Sequence, residues 1–124
     1  MRPTTETQAE IEYAVLATEA GEALLEEVAS ERAPRPADLA RWRAHHAADV
    51  VAAAVRLAEL RRRAAAKFTR ADRMWLERTA LEQSTAESVA DHKASRFRGA
   101  RVVDLCCGIG GDAIALGEVS TGVI

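Results

Sequence analysis

At 124 residues, with 29% of positions charged, 48% apolar and a net charge of −2, the chain has the composition of a globular protein of one small domain, or one domain and part of another. Five aromatic residues, Tyr13, Trp42, Phe68, Trp75 and Phe97, restrict any core to mostly aliphatic side chains. No apolar run reaches the ~18 residues needed to cross a bilayer, and Met1 to Glu6 lacks the apolar stretch of a secretory signal. The adjacent Cys106 and Cys107 match neither a zinc-binding pattern nor a disulfide framework, so a cytoplasmic protein without membrane contact is expected.

From about Thr5 to Arg32 the pattern is helical. Ile11, Val15, Leu25 and Val28 recur at helical spacings, with glutamates on the opposite face. Gly21 interrupts this pattern at ~1 kcal/mol relative to alanine and marks a kink or a division into two helices. Pro34-Arg35-Pro36 is a break, with Pro36 suited to the first position of the next helix. A second helical stretch runs from about Pro36 to Lys67. Leu39 and Trp42 share one face, Val51, Val55 and Ala58 another, with Val50, Ala54 and Leu57 alongside. His45-His46 separates these groups and predicts an interruption, with Asp49 available as a cap.

Phe68 to Gln83 is less regular, and Met74-Trp75-Leu76 reads as an apolar knot anchoring a connection. Ser84-Thr85-Ala86-Glu87 has the spacing of a capping box. It predicts a helix to about Arg96 that buries Val89. Phe97 to Arg101 turns into a buried strand over Val102 to Leu105. The chain's densest glycine cluster follows, Gly108-Ile109-Gly110-Gly111, then a helix from about Gly110. Val119 to Ile124 reads as the approach to a second strand.

Charge is uneven along this order. Residues 1–40 hold nine acids against Arg2, Arg32 and Arg35, whereas cations concentrate later in Arg61-Arg62-Arg63, Lys67, Arg70 and Arg73. That belt suits RNA phosphates, and equally suits a solvated helix C-terminus, where cations complement the dipole. His45 and Asp49 share a helical face but lack a third convergent ligand, so no metal site is expected. Cys106 and Cys107 read as small residues packing beneath the glycine turn, with no neighbouring base to activate a thiol.

A strand, a glycine turn and a helix make a small-molecule cradle. Glycines let a ligand approach main-chain N–H groups, and the helix start adds free donors and the positive end of its dipole. Gly108-Ile109-Gly110-Gly111-Asp112-Ala113 satisfies the dinucleotide pattern G-x-G-x-x-[GA]. Asp104, four residues before the first glycine, fits another pattern.

The form Asp-x-x-x-Gly-x-Gly resembles the first motif of class I S-adenosylmethionine-dependent methyltransferases. A wider match, from Lys67-Phe68 through Leu81-Glu82-Gln83-Ser84-Thr85-Ala86-Glu87 to Asp104–Asp112, is similar to bacterial methyltransferases with a THUMP-like domain. These in turn are similar to trimethylguanosine synthases acting on guanine N2 of RNA caps. The resemblance covers about the second half of the chain. It implies that Asp104 meets the ammonium group of the cofactor's methionine moiety and that Cys106, Gly108, Gly110, Gly111 and Asp112 frame the cofactor. Gln83 and Thr85 stand where the family has a cofactor-contacting Ser and Thr, and Glu87 matches the family's Glu. Gln83 for Ser and Ala86 for Pro depart from the pattern.

The expectation is therefore a mostly α chain. A helical N-terminal domain over residues 1–97 leads into a Rossmann-like α/β methyltransferase domain over 98–124, truncated to its first strand, glycine loop and the start of its first helix. The function implied is N-terminal part of a methyltransferase using S-adenosyl-L-methionine, acting on nucleic acid with RNA guanine the first candidate, and inactive as an isolated chain. A dinucleotide-binding (NAD or FAD) oxidoreductase fragment and a helical RNA-binding or scaffolding module are the alternatives.

Overall fold

The structure is a computed structural model describing residues 8–124. The expected helix start at Thr5 lies outside the described residues. The chain is mostly helical and divides into two compact units, Met1–Glu59 and Leu60–Ile124. The boundary expected at 97/98 separates segments that share the second unit.

In the first unit, the helical stretch interrupted by Gly21 is two helices, α1 (Gln8–Leu16) and α2 (Glu19–Ser30). Thr18 makes the corner: its Oγ1 accepts from Gly21 N at 3.2 Å and donates to Val15 O at 2.7 Å. Gly21 itself is buried in the first turn of α2 against the last turn of α1, where a Cβ would stand 2.5 Å from Leu16 Cα. The corner also changes which face of α1 is covered. Ile11 and Val15 remain 45% and 42% exposed, while Leu16 and Glu12 are buried. The Glu12 carboxylate, expected on the outer face, is ion-paired with Arg56, as a buried charge requires.

The proline break leads into α3 (Pro36–Arg43). Asp38 closes its start by accepting the Arg35 N–H at 2.9 Å and the Arg35 side chain at 3.1 Å. These bonds, the side-chain one foremost, hold the Asp38 carboxyl below its ordinary range. Trp42 is buried and its indole N–H donates to Glu27 at 3.0 Å. The interruption at His45-His46 is observed, and α4 (Ala48–Ala64) follows with Val51, Ala54 and Leu57 fully buried. Asp49 sits inside the first turn of α4 rather than ahead of it, and accepts from Val50 N.

The second unit begins in the last turns of α4. A short 3-10 turn (Ala71–Arg73), α5 (Arg78–Gln83), α6 (Glu87–Ala94) and a second 3-10 turn (Ser95–Phe97) lead to β1 (Arg101–Val102). After the glycine loop come α7 (Gly111–Val119) and β2 (Gly122–Val123), which lies parallel to β1 with Arg101 opposite Gly122 and Val102 opposite Val123. Strand, helix and parallel strand thus form one small β-α-β connection. Ala90 and Ala94 of α6 pack on Ala115 of α7, with Leu116 and Val119 beside them. Small side chains let these two helices come close.

Three expectations are corrected here. The strand predicted over Val102 to Leu105 is shorter, and Val103 and Leu105 are 61% and 88% exposed. Val102 O and Asp104 N bond to Ile124 of the β2 side, so the peptide groups of Arg101 and Val103 face the other edge. No strand lies along that edge among the described residues. Val89 is 52% exposed, because α6 turns Ala90 and Ala94 inward. In the apolar knot only Leu76 is buried; Trp75 is 42% exposed beneath the Arg61 guanidinium, 5.6 Å from the ring centroid.

Candidate functional site

β1 ends and α7 begins around a loop held by two short-range bonds. Asp104 Oδ1 accepts from Cys106 N at 3.2 Å, and Gly110 N donates to Cys107 O at 2.8 Å. Gly108 and Gly110 have φ of +54° and +82°, with nothing within 4 Å of where a Cβ would stand. Both are left-handed positions that glycine occupies without strain, and both leave open space over the turn. Gly110 is the N-cap of α7. Gly111 is buried under the Phe68 ring and the Thr85 carbonyl, each 3.3 Å from a Cβ built there, so the helix start is seated against the segment ahead of α6.

Two adjoining clefts meet at this loop. The larger, about 480 Å³, is lined on one side by Ala90, Lys93 and Phe97 and on the other by Val103, Asp104 and Leu105. The smaller, about 220 Å³, is lined by Gln83, Thr85, Gly108 and Ile109 among others. Cys106, Cys107 and Asp112 border both. The residues singled out in the sequence are therefore gathered, but in two places: Asp104 in the larger cleft, Gln83, Thr85, Gly108 and Gly111 in the smaller. Gly110 lines neither and sits at the left-handed N-cap of α7.

Asp112, in the first turn of α7, is fixed by two partners. Lys93 Nζ stands 2.6 Å from Oδ1, and the Thr85 hydroxyl donates to Oδ2 at 3.2 Å. Lys93 also donates to Thr85 Oγ1 at 3.2 Å. This Thr85–Asp112–Lys93 cluster joins the segment before α6, α6 itself and the glycine loop. Lys93 was not singled out from sequence. Ala90, Lys93 and Ala94 of α6 and Phe97 of the 3-10 turn after it lie at helical spacing, and that periodicity was the available signal.

The Ser84–Glu87 capping box does not form. Ser84 is the C-cap of α5, its Oγ donating to Leu81 O at 2.7 Å, and α6 has Ala86 at its N-cap. Glu87 instead accepts the Thr69 N–H at 2.7 Å and the Thr69 hydroxyl at 2.8 Å, while its own N–H donates to Lys67 O. The backbone bond from Thr69, then the hydroxyl bond, hold the Glu87 carboxyl below its ordinary value of 4.5. A depressed carboxyl stabilises the fold above its unfolded-state pKa, and that contribution is lost as pH falls through the folded-state pKa. Glu87→Gln is expected to flatten the acid limb of stability against pH, measured by urea midpoints from neutral to acid; an unchanged limb would remove Glu87 from the account.

Half of the basic belt is engaged within the protein. Arg61 Nε donates to Met74 O at 3.0 Å, Arg63 pairs with Glu82 at 3.4 Å, and Lys67 Nζ donates to Leu81 O, Ser84 O and Glu82 O at 2.8, 3.0 and 3.3 Å. Lys67 thereby closes the C-terminal end of α5. Arg62, Arg70 and Arg73 are exposed. Among the described residues no group of three or more His, Cys, Asp and Glu is placed to hold a metal ion, and no helix is long and apolar enough to cross a membrane. Cys106 and Cys107 are exposed rather than packed beneath the turn, and border the two open clefts.

A family model described as a domain of unknown function, DUF8688, matches residues 12–64. The match begins in α1 and ends with α4, ahead of both clefts. No curated protein and no solved structure matches the chain.

Proposed function

We propose that residues 60–124 carry part of the cofactor site of a class I S-adenosylmethionine-dependent methyltransferase with a Rossmann-like sheet. One observation carries the reading: a parallel β-α-β connection whose first strand leads to Asp104 and an open glycine turn beside Thr85 and Asp112. The donor set suits the cofactor. A carboxylate at the strand end complements an ammonium group, the space over Gly108 and Gly110 admits a ligand against the backbone, and the larger cleft has the volume of a small-molecule site.

S-adenosylmethionine supplies an electrophilic methyl group on sulfonium. The work of this chain's residues is to hold and orient it. Asp104 takes the ammonium group and keeps the loop turned through Cys106 N, while Lys93 and Thr85 fix Asp112 at the start of α7. Positioning of the two reactants supplies much of the rate in such transfers. The exposed loop does not exclude water, so the 124 residues are proposed to bind cofactor without turning over by themselves. Nucleic acid is the proposed acceptor class, with RNA guanine the first candidate and Arg62, Arg70 and Arg73 the available cations. A cytoplasmic location belongs to the same proposal.

Asp104→Asn tests this directly, because the amide oxygen can still accept from Cys106 N while the charge is lost. Isothermal titration is expected to give saturable S-adenosylmethionine binding by the native chain and about 10-fold weaker binding by the variant, the scale of one charge-assisted hydrogen bond. Equal affinities would remove Asp104 from the site. Saturable NAD binding without S-adenosylmethionine binding would replace the methyltransferase reading with the oxidoreductase one.

A further inference from the structure

Cys106 and Cys107 are adjacent, both are exposed, and both border the two clefts. The loop's hydrogen bonds lie on either side of the peptide that joins them. Cys106 N is held by Asp104 and Cys107 O by Gly110. Between these anchors, Cys106 C=O and Cys107 N–H make no hydrogen bond among the described residues. That one peptide unit can reorient without breaking a backbone bond. Joining two neighbouring sulfurs closes a small ring through the connecting peptide, which must distort to allow it, because consecutive Cα atoms are only ~3.8 Å apart, below the ~4.4–6.8 Å of ordinary disulfides.

We propose that Cys106–Cys107 is a reversible oxidation site at the rim of the clefts, closed by hydrogen peroxide to a vicinal disulfide. One thiolate attacks peroxide, forming a sulfenic acid and releasing hydroxide, which takes up a proton to become water. The second thiol then attacks the sulfenic sulfur, forming the S–S bond and releasing another water. Two thiols lose two electrons and one peroxide is reduced to two waters. The short span strains the ring, so thiol reductants reopen it readily. Because both residues border both clefts, closure changes the mouth of each. The site stands on thiol exposure and loop geometry, independently of which cofactor the loop holds.

The test treats the 124-residue chain with one to a few equivalents of hydrogen peroxide, then counts thiols and weighs the protein. Free thiols are expected to fall from two to none, with a mass loss of about 2 Da for one internal disulfide. The chain should not become cross-linked to a second copy, and dithiothreitol should restore both thiols. Fragmentation should place the loss on the peptide containing both cysteines. Cys106→Ser and Cys107→Ser should each abolish the internal loss and leave a sulfenic acid trappable by dimedone. A disulfide between two chains, direct progress to sulfinic acid, or two thiols unchanged by peroxide would each overturn the proposal. Adding S-adenosylmethionine before peroxide reports on the cofactor separately: protection supports the cofactor reading, and its absence counts against that reading while leaving the disulfide result intact.

Discussion

Gly21→Ala is expected to destabilise the protein by about 2–3 kcal/mol, although alanine is the better helix former by ~1 kcal/mol. The two effects have opposite signs, and geometry decides which wins. A Cβ on Gly21 would stand 2.5 Å from Leu16 Cα and 2.7 Å from Leu16 C. Those are backbone atoms of the last turn of α1 and cannot rotate away as a side chain tip could. The α1–α2 corner would have to open, lengthening the Thr18 bonds that close it and loosening Leu16 and Leu24, which are 0% and 1% exposed. Urea denaturation reads the result as a lower midpoint at unchanged slope. A raised midpoint would show that propensity governs Gly21 and that the corner is not close-packed.

Leu76→Ala should cost about 2–5 kcal/mol, the range for emptying a fully buried leucine site. Leu76 is 0% exposed, in a connection with little regular structure to hold it otherwise. Its neighbour is the contrast. Trp75 is the larger residue, yet it is 42% exposed and rests under Arg61, a contact worth about 0.5–1 kcal/mol at an exposed site. Trp75→Ala is therefore expected to cost well under half as much as Leu76→Ala, by the same denaturation measurement. If the order were reversed, the indole and not the leucine would anchor the connection between α4 and α5.

Much of the local structure was legible because it rests on short-range chemistry. Pro36 starts α3, the interruption at His45-His46 separates α3 from α4, and α7 follows directly on Gly110. At Pro36 and Gly110 a residue with restricted or permissive backbone sets the boundary, and at His45-His46 the lapse of the apolar pattern marks it. The misreadings share another cause. Ser84 and Glu87 have the spacing of a capping box, but both side chains found partners elsewhere: Ser84 at the end of α5, Glu87 on Thr69, eighteen residues earlier. Glu12 looked like a solvated glutamate until a cation forty-four residues away paired with it. Val89 lost the inward face to Ala90 and Ala94 because α6 and α7 approach closely. Spacing along the chain carries no record of such partners.

The candidate site divides along the same line. Sequence by itself determined the motif: an acid four residues before paired glycines, between a β-branched segment and a helix. Backbone stereochemistry ties that pattern to a turn with left-handed positions at Gly108 and Gly110. Only the tertiary structure decided what surrounds it. Lys93 reaches Asp112 because α6 packs on α7, and Asp104 falls in a different cleft from Thr85 because the Cys106–Cys107 loop stands between them. The two cysteines are exposed, not buried, for a related reason. A loop is covered only when another element packs over it, and at Cys106 and Cys107 the neighbouring elements leave open clefts instead.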